Sequence, residues 1–92
     1  MTSSQLEQAF ASRGVHRYGA VYFDAANATA LLLQAREAGI GILGIDCVQL
    51  TPDATIPSDI ADYSTDPSAW SAALAFVESR ATTGLLFELV LA

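Results

Sequence analysis

The stretch Arg36-Glu37-Ala38-Gly39-Ile40-Gly41-Ile42-Leu43-Gly44-Ile45-Asp46 decides the fold class. Leu31, Leu32, Ala35 and Ala38 recur at helical spacing before it. Gly39 then falls where a helix stops, because glycine takes the left-handed cap conformation without steric cost. From Ile40 to Leu50 the chain is almost continuously apolar. Such a run implies a central strand buried on both faces, with helices on both sides. Gly41 and Gly44 inside it point to a bend or to close approach of a helix. A helix feeding a buried strand makes the class α/β.

Working back, Asp24 or Asn27 is placed to cap that helix. Val15 to Phe23 has the β-branched and aromatic content of a strand, which Gly19 could bend. The order strand, helix, strand predicts that the first two strands are parallel, joined by a right-handed crossover. Ser4-Gln5-Leu6-Glu7 has the spacing of a capping box, Leu6, Ala9 and Phe10 share a face, and Gly14 is a natural stop. These residues predict a short N-terminal helix.

Working forward, Thr51 to Thr65 carries Pro52, Pro57, Asp53, Asp59 and Asp62 among serines and threonines. It reads as a long acidic loop with at most a short strand or turn inside, and loops of that length are often functional. Asp66-Pro67 has the cap-then-proline order that opens a helix. Trp70, Ala73, Leu74 and Val77 form its apolar stripe. Leu85 to Leu91 is a last strand, apolar on both faces except for Glu88, with its direction open. The expected architecture is a small three-stranded sheet, its first two strands parallel, with two main helices and a short N-terminal one. Residues 1–92 are expected to form a single domain.

Composition narrows the function classes. Hydrophobic residues make up 52% of the chain and charged ones only 15%. That is too apolar for disorder, and a partner or a homodimer would cover the excess. The net charge is −6, with ten acidic residues against four basic ones, all arginine. Without lysine there is no ordinary phosphate-tracking groove, so direct nucleic-acid binding is not expected. An acidic surface suits a basic partner. Cys47 is the only cysteine, so there is no internal disulfide. No apolar run approaches the ~20 residues of a membrane span, and the N-terminus lacks a signal-peptide pattern. A cytoplasmic location is the expectation.

No catalytic constellation stands out. His16 and Cys47 invite a nucleophile-and-base reading, but no third group at a known spacing supports it. A cysteine in a buried run is ordinarily a small hydrophobe. One His and one Cys cannot supply the usual metal ligands, and no cofactor is expected. Gly39-Ile40-Gly41-Ile42-Leu43-Gly44 has the bare spacing of a dinucleotide fingerprint, but it precedes and enters a strand instead of following one. Asp24 and Asp46 would share one rim of a parallel sheet, where α/β proteins place their sites. Capping and strand termination explain both more simply. Glu88 reads as an exposed edge-strand charge, Trp70 as core, and Tyr63 as an exposed aromatic anchor.

Four features carry a resemblance to a known family: Tyr18-Gly19-Ala20 before the first strand, the helix ending in Ala38-Gly39-Ile40, the strand Ile42-Leu43-Gly44-Ile45-Asp46, and the late helix with Trp70 followed by Phe87-Glu88-Leu89-Val90. From Tyr18 onward the chain resembles the immunity protein 40 family, small bacterial proteins that neutralise polymorphic toxins. It departs from the expected Gly-Gly-Asp with Gly44-Ile45-Asp46. The resemblance implies a non-enzymatic protein that binds a cognate toxin stoichiometrically. Toxin contact is then expected at Asp53, Asp59, Asp62, Tyr63 and Asp66, with Asp24 and Asp46 on the adjoining rim. The alternative is a small self-associating assembly module.

Overall fold

The computed structural model describes residues 1–92. The first helix, α1, spans Ser3–Phe10. Its capping box lies two residues earlier than the Ser4–Glu7 spacing suggests. The Gln5 amide donates to Thr2 Oγ1 at 3.2 Å, and the Thr2 amide donates to Gln5 Oε1 at 2.8 Å. Thr2 is extended (φ −93°, ψ 164°), the conformation a capping residue needs.

Val15 to Phe23 is not one strand. It folds back as a hairpin of β1 (Val15–Arg17) and β2 (Ala20–Tyr22), paired antiparallel. Tyr18 and Gly19 form the turn with φ of 52° and 79°. Two left-handed central residues give the two-residue turn whose twist matches that of its flanking strands. Gly19 meets that demand freely, whereas Tyr18 is held there by the turn.

Helix α2, Ala25–Ala38, begins and ends as the sequence implies. Asp24 Oδ1 accepts the Asn27 amide at 2.8 Å, and Gly39 closes the helix at φ 71°. Next come β3 (Ile42–Leu50), β4 (Thr55–Asp62), α3 (Trp70–Glu78) and β5 (Leu86–Leu91). The main sheet has the order β4-β3-β5, and both neighbours run antiparallel to β3. The expected parallel pair is therefore absent. Phe23 instead exchanges two backbone hydrogen bonds with Phe87, each 2.8 Å, so β5 lies between the end of β2 and β3.

The expected acidic loop is mostly strand β4. A short turn leads into it: the Thr51 amide donates to the Ala54 carbonyl, and the Ala54 amide to Thr51 Oγ1, each at 2.9 Å. Pro57 is tolerated because β4 is an edge strand and because the ladder to β3 shifts between Cys47 and Val48. That shift leaves Ser58 as the unpaired residue of a bulge. At the same edge the Ile60 amide donates to Asp59 Oδ1 at 2.8 Å. Asp66-Pro67 does not open α3, which starts at Trp70. Asp66 Oδ1 accepts the Ser68 hydroxyl at 2.7 Å instead.

One core holds the molecule together. Leu6 and Phe10 of α1, Leu31 and Leu32 of α2 and Val77 of α3 bury against Ile42, Ile45 and Cys47 of β3 and Phe87 and Leu91 of β5. Phe10 meets Phe23, and Phe76 meets Phe87, edge to face at 6.5 Å. The pairing of β3 with β5 shifts between Ile42 and Gly44, so Leu43 is an extra residue. Ile42 and Ile45, three positions apart, consequently face the same way. The apolar run is thus a bulged strand with one core face, and all three helices lie on that face. The expectation of helices on both sides fails for this reason.

Candidate functional site

Residues opposite each other on antiparallel strands share a face, so the register places the side chains of the uncovered sheet face in rows. Asp62, Gly44 and Val90 form one row, and Ile60, Asp46 and Glu88 the next. Pro57, Val48 and Leu86 form a third, in which Val48 is buried, so the open part of the face is confined to the first two rows. Gly44 contributes no side chain, which leaves a shallow depression lined by Asp46, Ile60, Asp62 and Val90. The backbone of β4 comes close here: a Cβ on residue 44 would stand 3.1 Å from the Ala61 carbonyl oxygen. Ile60 is 70% exposed and Val90 44%. Large apolar side chains beside carboxylates on an open sheet make this face the strongest candidate site.

Its electrostatics are one-sided. Asp46 and Glu88 are direct cross-strand partners. Burial pushes the Glu88 carboxyl above its ordinary range, and the hydrogen bond and negative charge of Asp46 push it further the same way. The amide and hydroxyl of Ser64 hold the Asp62 carboxyl below its ordinary range, with the Ser64 amide at 2.9 Å from Oδ1. No arginine answers these charges. Arg17 donates to the Thr51 and Ala54 carbonyls at 2.5 and 3.0 Å. Arg13 lies 4.5 Å from the centre of the Phe10 ring. Arg80 sits over Phe76 at 3.8 Å and pairs with Asp59 in the only ion pair of the molecule.

The residues expected to form an interface are divided by the fold. Asp46 and Asp62 meet on the open face. Asp59 pairs with Cys47 in the ladder, on the helix side, where the Ile60 amide and then Arg80 hold its carboxyl low. Tyr63 is not an exposed anchor: it is half-buried against the core, and burial pushes its phenol up. Asp53 is exposed in the turn before β4, and Asp66 is exposed in the turns before α3. Asp24 caps α2. The rim shared by Asp24 and Asp46 required parallel strands and does not form.

Glu88, Ile60 and Val90 are the residues of this candidate face that sequence reasoning did not place in the site. The signal was the alternation Ile60-Ala61-Asp62 against Glu88-Leu89-Val90, broken upstream by Pro57 and the bulge at Ser58. Glu88 is half-buried beside another carboxylate and not a freely exposed edge charge.

The other singled-out residues have structural partners. The His16 ring lies 2.7 Å from the Ala11 carbonyl, and no hydrogen bond joins it to Cys47. Cys47 is fully buried, and burial pushes its thiol up, which disfavours a thiolate nucleophile. Trp70 Nε1 donates to the Ile40 carbonyl at 2.9 Å, with its ring against the core. No group of three or more His, Cys, Asp or Glu side chains is gathered as a metal site. No helix is long and apolar enough to cross a membrane. Comparison with protein-family models, with curated proteins and with solved structures finds no match.

Proposed function

We propose that this protein is a stoichiometric inhibitor that binds a cognate toxin through its open sheet face and acts in the cytoplasm of the producing cell. The observation that carries the reading is the uncovered face itself, with Ile60 and Val90 exposed beside Asp46, Glu88 and Asp62, which have no internal cation. A complex supplies what that face lacks, apolar cover and positive charge. The resemblance to the immunity protein 40 family points the same way. Self-association through this face is disfavoured, because two copies face to face would set like charges against each other.

The test is growth rescue. The product of the adjacent upstream gene is expressed inducibly with and without this chain. The expected result is growth arrest relieved by the wild-type protein and much less by a variant carrying Ile60→Asp and Val90→Asp. Arrest relieved equally by wild type and variant moves the inhibitory surface elsewhere. Arrest with no relief at all removes the proposed pairing. Sedimentation of the protein alone reads the self-associating alternative directly.

A further inference from the structure

We infer that the groove between α2 and α3 is a self-complementary surface through which two copies of this chain pair about a two-fold axis, with Arg36 of each copy against Glu78 of the other. The groove lies on the helix layer, on the far side of the molecule from the open sheet face, so the pairing is independent of toxin contact there.

The course of the two helices sets up the groove. Trp70, the first residue of α3, donates to the Ile40 carbonyl just past the end of α2. Arg80, just past the end of α3, reaches Asp59, which lies across from Cys47. The start of α2 is tied to that same level, because Phe23 bonds to Phe87, which also lies across from Cys47. The helices therefore run antiparallel, and a groove is left open between them. Leu33 of α2 and Leu74 of α3 stand at one end of it. Ala26, Thr29 and Ala81 line the other end with small side chains. Leu33 is 41% exposed, with no neighbour of its own chain to cover it.

Shape and charge select the same occupant. A two-fold axis across the middle of the groove exchanges its ends, so Leu33 of each copy seats in the small-residue end of the other. The helices carry only three charged residues, Arg36, Glu37 and Glu78. Neither Arg36 nor Glu78 has an ion partner on its own chain, where the one ion pair joins Arg80 to Asp59. Thr29, Leu33 and Arg36 follow at i, i+4 and i+7, so Arg36 continues the groove line beyond Leu33. Glu37 lies about 100° further round the helix. Glu78 flanks the small-residue end. It also ends α3, where the helix dipole disfavours a negative charge and a nearby cation offsets it. The rotation that seats Leu33 brings Arg36 to Glu78 at both ends of the groove. The two ends are thus complementary in size and in sign, and one operation satisfies both. Helix α2 is about 21 Å long at 1.5 Å per residue, and packed helices lie ~9 Å apart. So small a face gives a weak, concentration-dependent pair.

The experiment is sedimentation equilibrium of the full chain from about 5 to about 500 μM, the range of a weak association. The expected result is a mass that moves from one chain towards two as concentration rises. L33D should stay monomeric across that range. R36E and E78R should each weaken pairing at least about fivefold, because each spoils two symmetry-related contacts. The double reversal R36E/E78R should restore pairing to within about twofold of wild type, since opposite charges again meet. Circular dichroism checks the fold of every variant, and the charge variants carry the test alone if L33D unfolds. A single-chain mass at every concentration, or a double reversal that restores nothing, overturns the inference. So does a dimer abolished by I60D/V90D and untouched by L33D, which places the contact on the sheet face. Growth rescue reads the inhibitor proposal separately, because both open sheet faces point outward in the pair. A dimer without rescue leaves this inference standing, and rescue by a protein that stays monomeric removes this inference alone.

Discussion

Replacing Glu88 with glutamine should stabilise the protein at neutral pH and leave it unchanged in acid. Glu88 stands directly across from Asp46 on neighbouring antiparallel strands, and its carboxyl is pushed up first by burial and then by Asp46. The folded state therefore holds this proton to higher pH than the unfolded chain does. Between the two titrations the native state binds more protons, so stability falls as pH rises through that window. The contribution is fully present below the ordinary carboxylate range and lost above the raised value. Like charges set opposite each other on a sheet cost about 0.2–1 kcal/mol, and partial solvent access keeps the figure near ~0.5 kcal/mol. A domain of this length shifts by about 4–8 °C per kcal/mol, so E88Q should raise Tm by about 2–4 °C. Calorimetry at about pH 7.5 and about pH 3.5, on either side of the carboxylate range, reads the effect. D46N should give a similar gain, and the double variant less than the sum, because either change relieves the same repulsion. An equal gain at both pH values would assign the effect to packing, and no gain at neutral pH would remove the strained pair from the argument.

Other expectations follow from single residues. Asp59 and Asp62 are held below their ordinary range, so they contribute stability that is lost as pH falls through their lowered values. An acid titration of D59N followed by circular dichroism should be flatter than that of wild type in that window. Gly19→Ala should cost about 1–2 kcal/mol, because φ is 79° there and a Cβ in left-handed backbone is strained; urea midpoints measure it. Cys47, with no exposed surface, should resist iodoacetamide in the native protein and react at the rate of global opening, which mass spectrometry follows. Fast native labelling would mean that the β3–α3 packing opens locally.

Local chemistry was legible wherever one residue determines the outcome. A cap of α2 at Asp24 or Asn27, of which the structure uses Asp24, Gly39 as its stop, the burial of Cys47 and the packing of Trp70 against the core all follow from residue type and position. Pairing was not legible, because it depends on partners far apart in sequence. The apolar run from Ile40 looked two-faced since Leu43 is a bulge residue that turns Ile42 and Ile45 to the same side. Tyr18-Gly19 lacked the Asn-Gly signature of a tight hairpin, so β1 and β2 merged into one strand and a parallel crossover was inferred from it. Strand β4 was hidden by Pro57 and its polar content, which are edge-strand features. The candidate face is the product of all three errors: it exists because β4, β3 and β5 are antiparallel and the helices gather on one side.

The free border of β4 sets how this chain behaves when crowded. An exposed strand of eight residues in so apolar a sequence is ordinarily a template on which further chains stack into fibres. Here Pro57 has no amide hydrogen, Ser58 is out of register, and the Ile60 hydrogen is taken by Asp59. An approaching strand meets these interruptions in close succession and cannot zip onto the border. The border of β4 is therefore a poor template for a further strand.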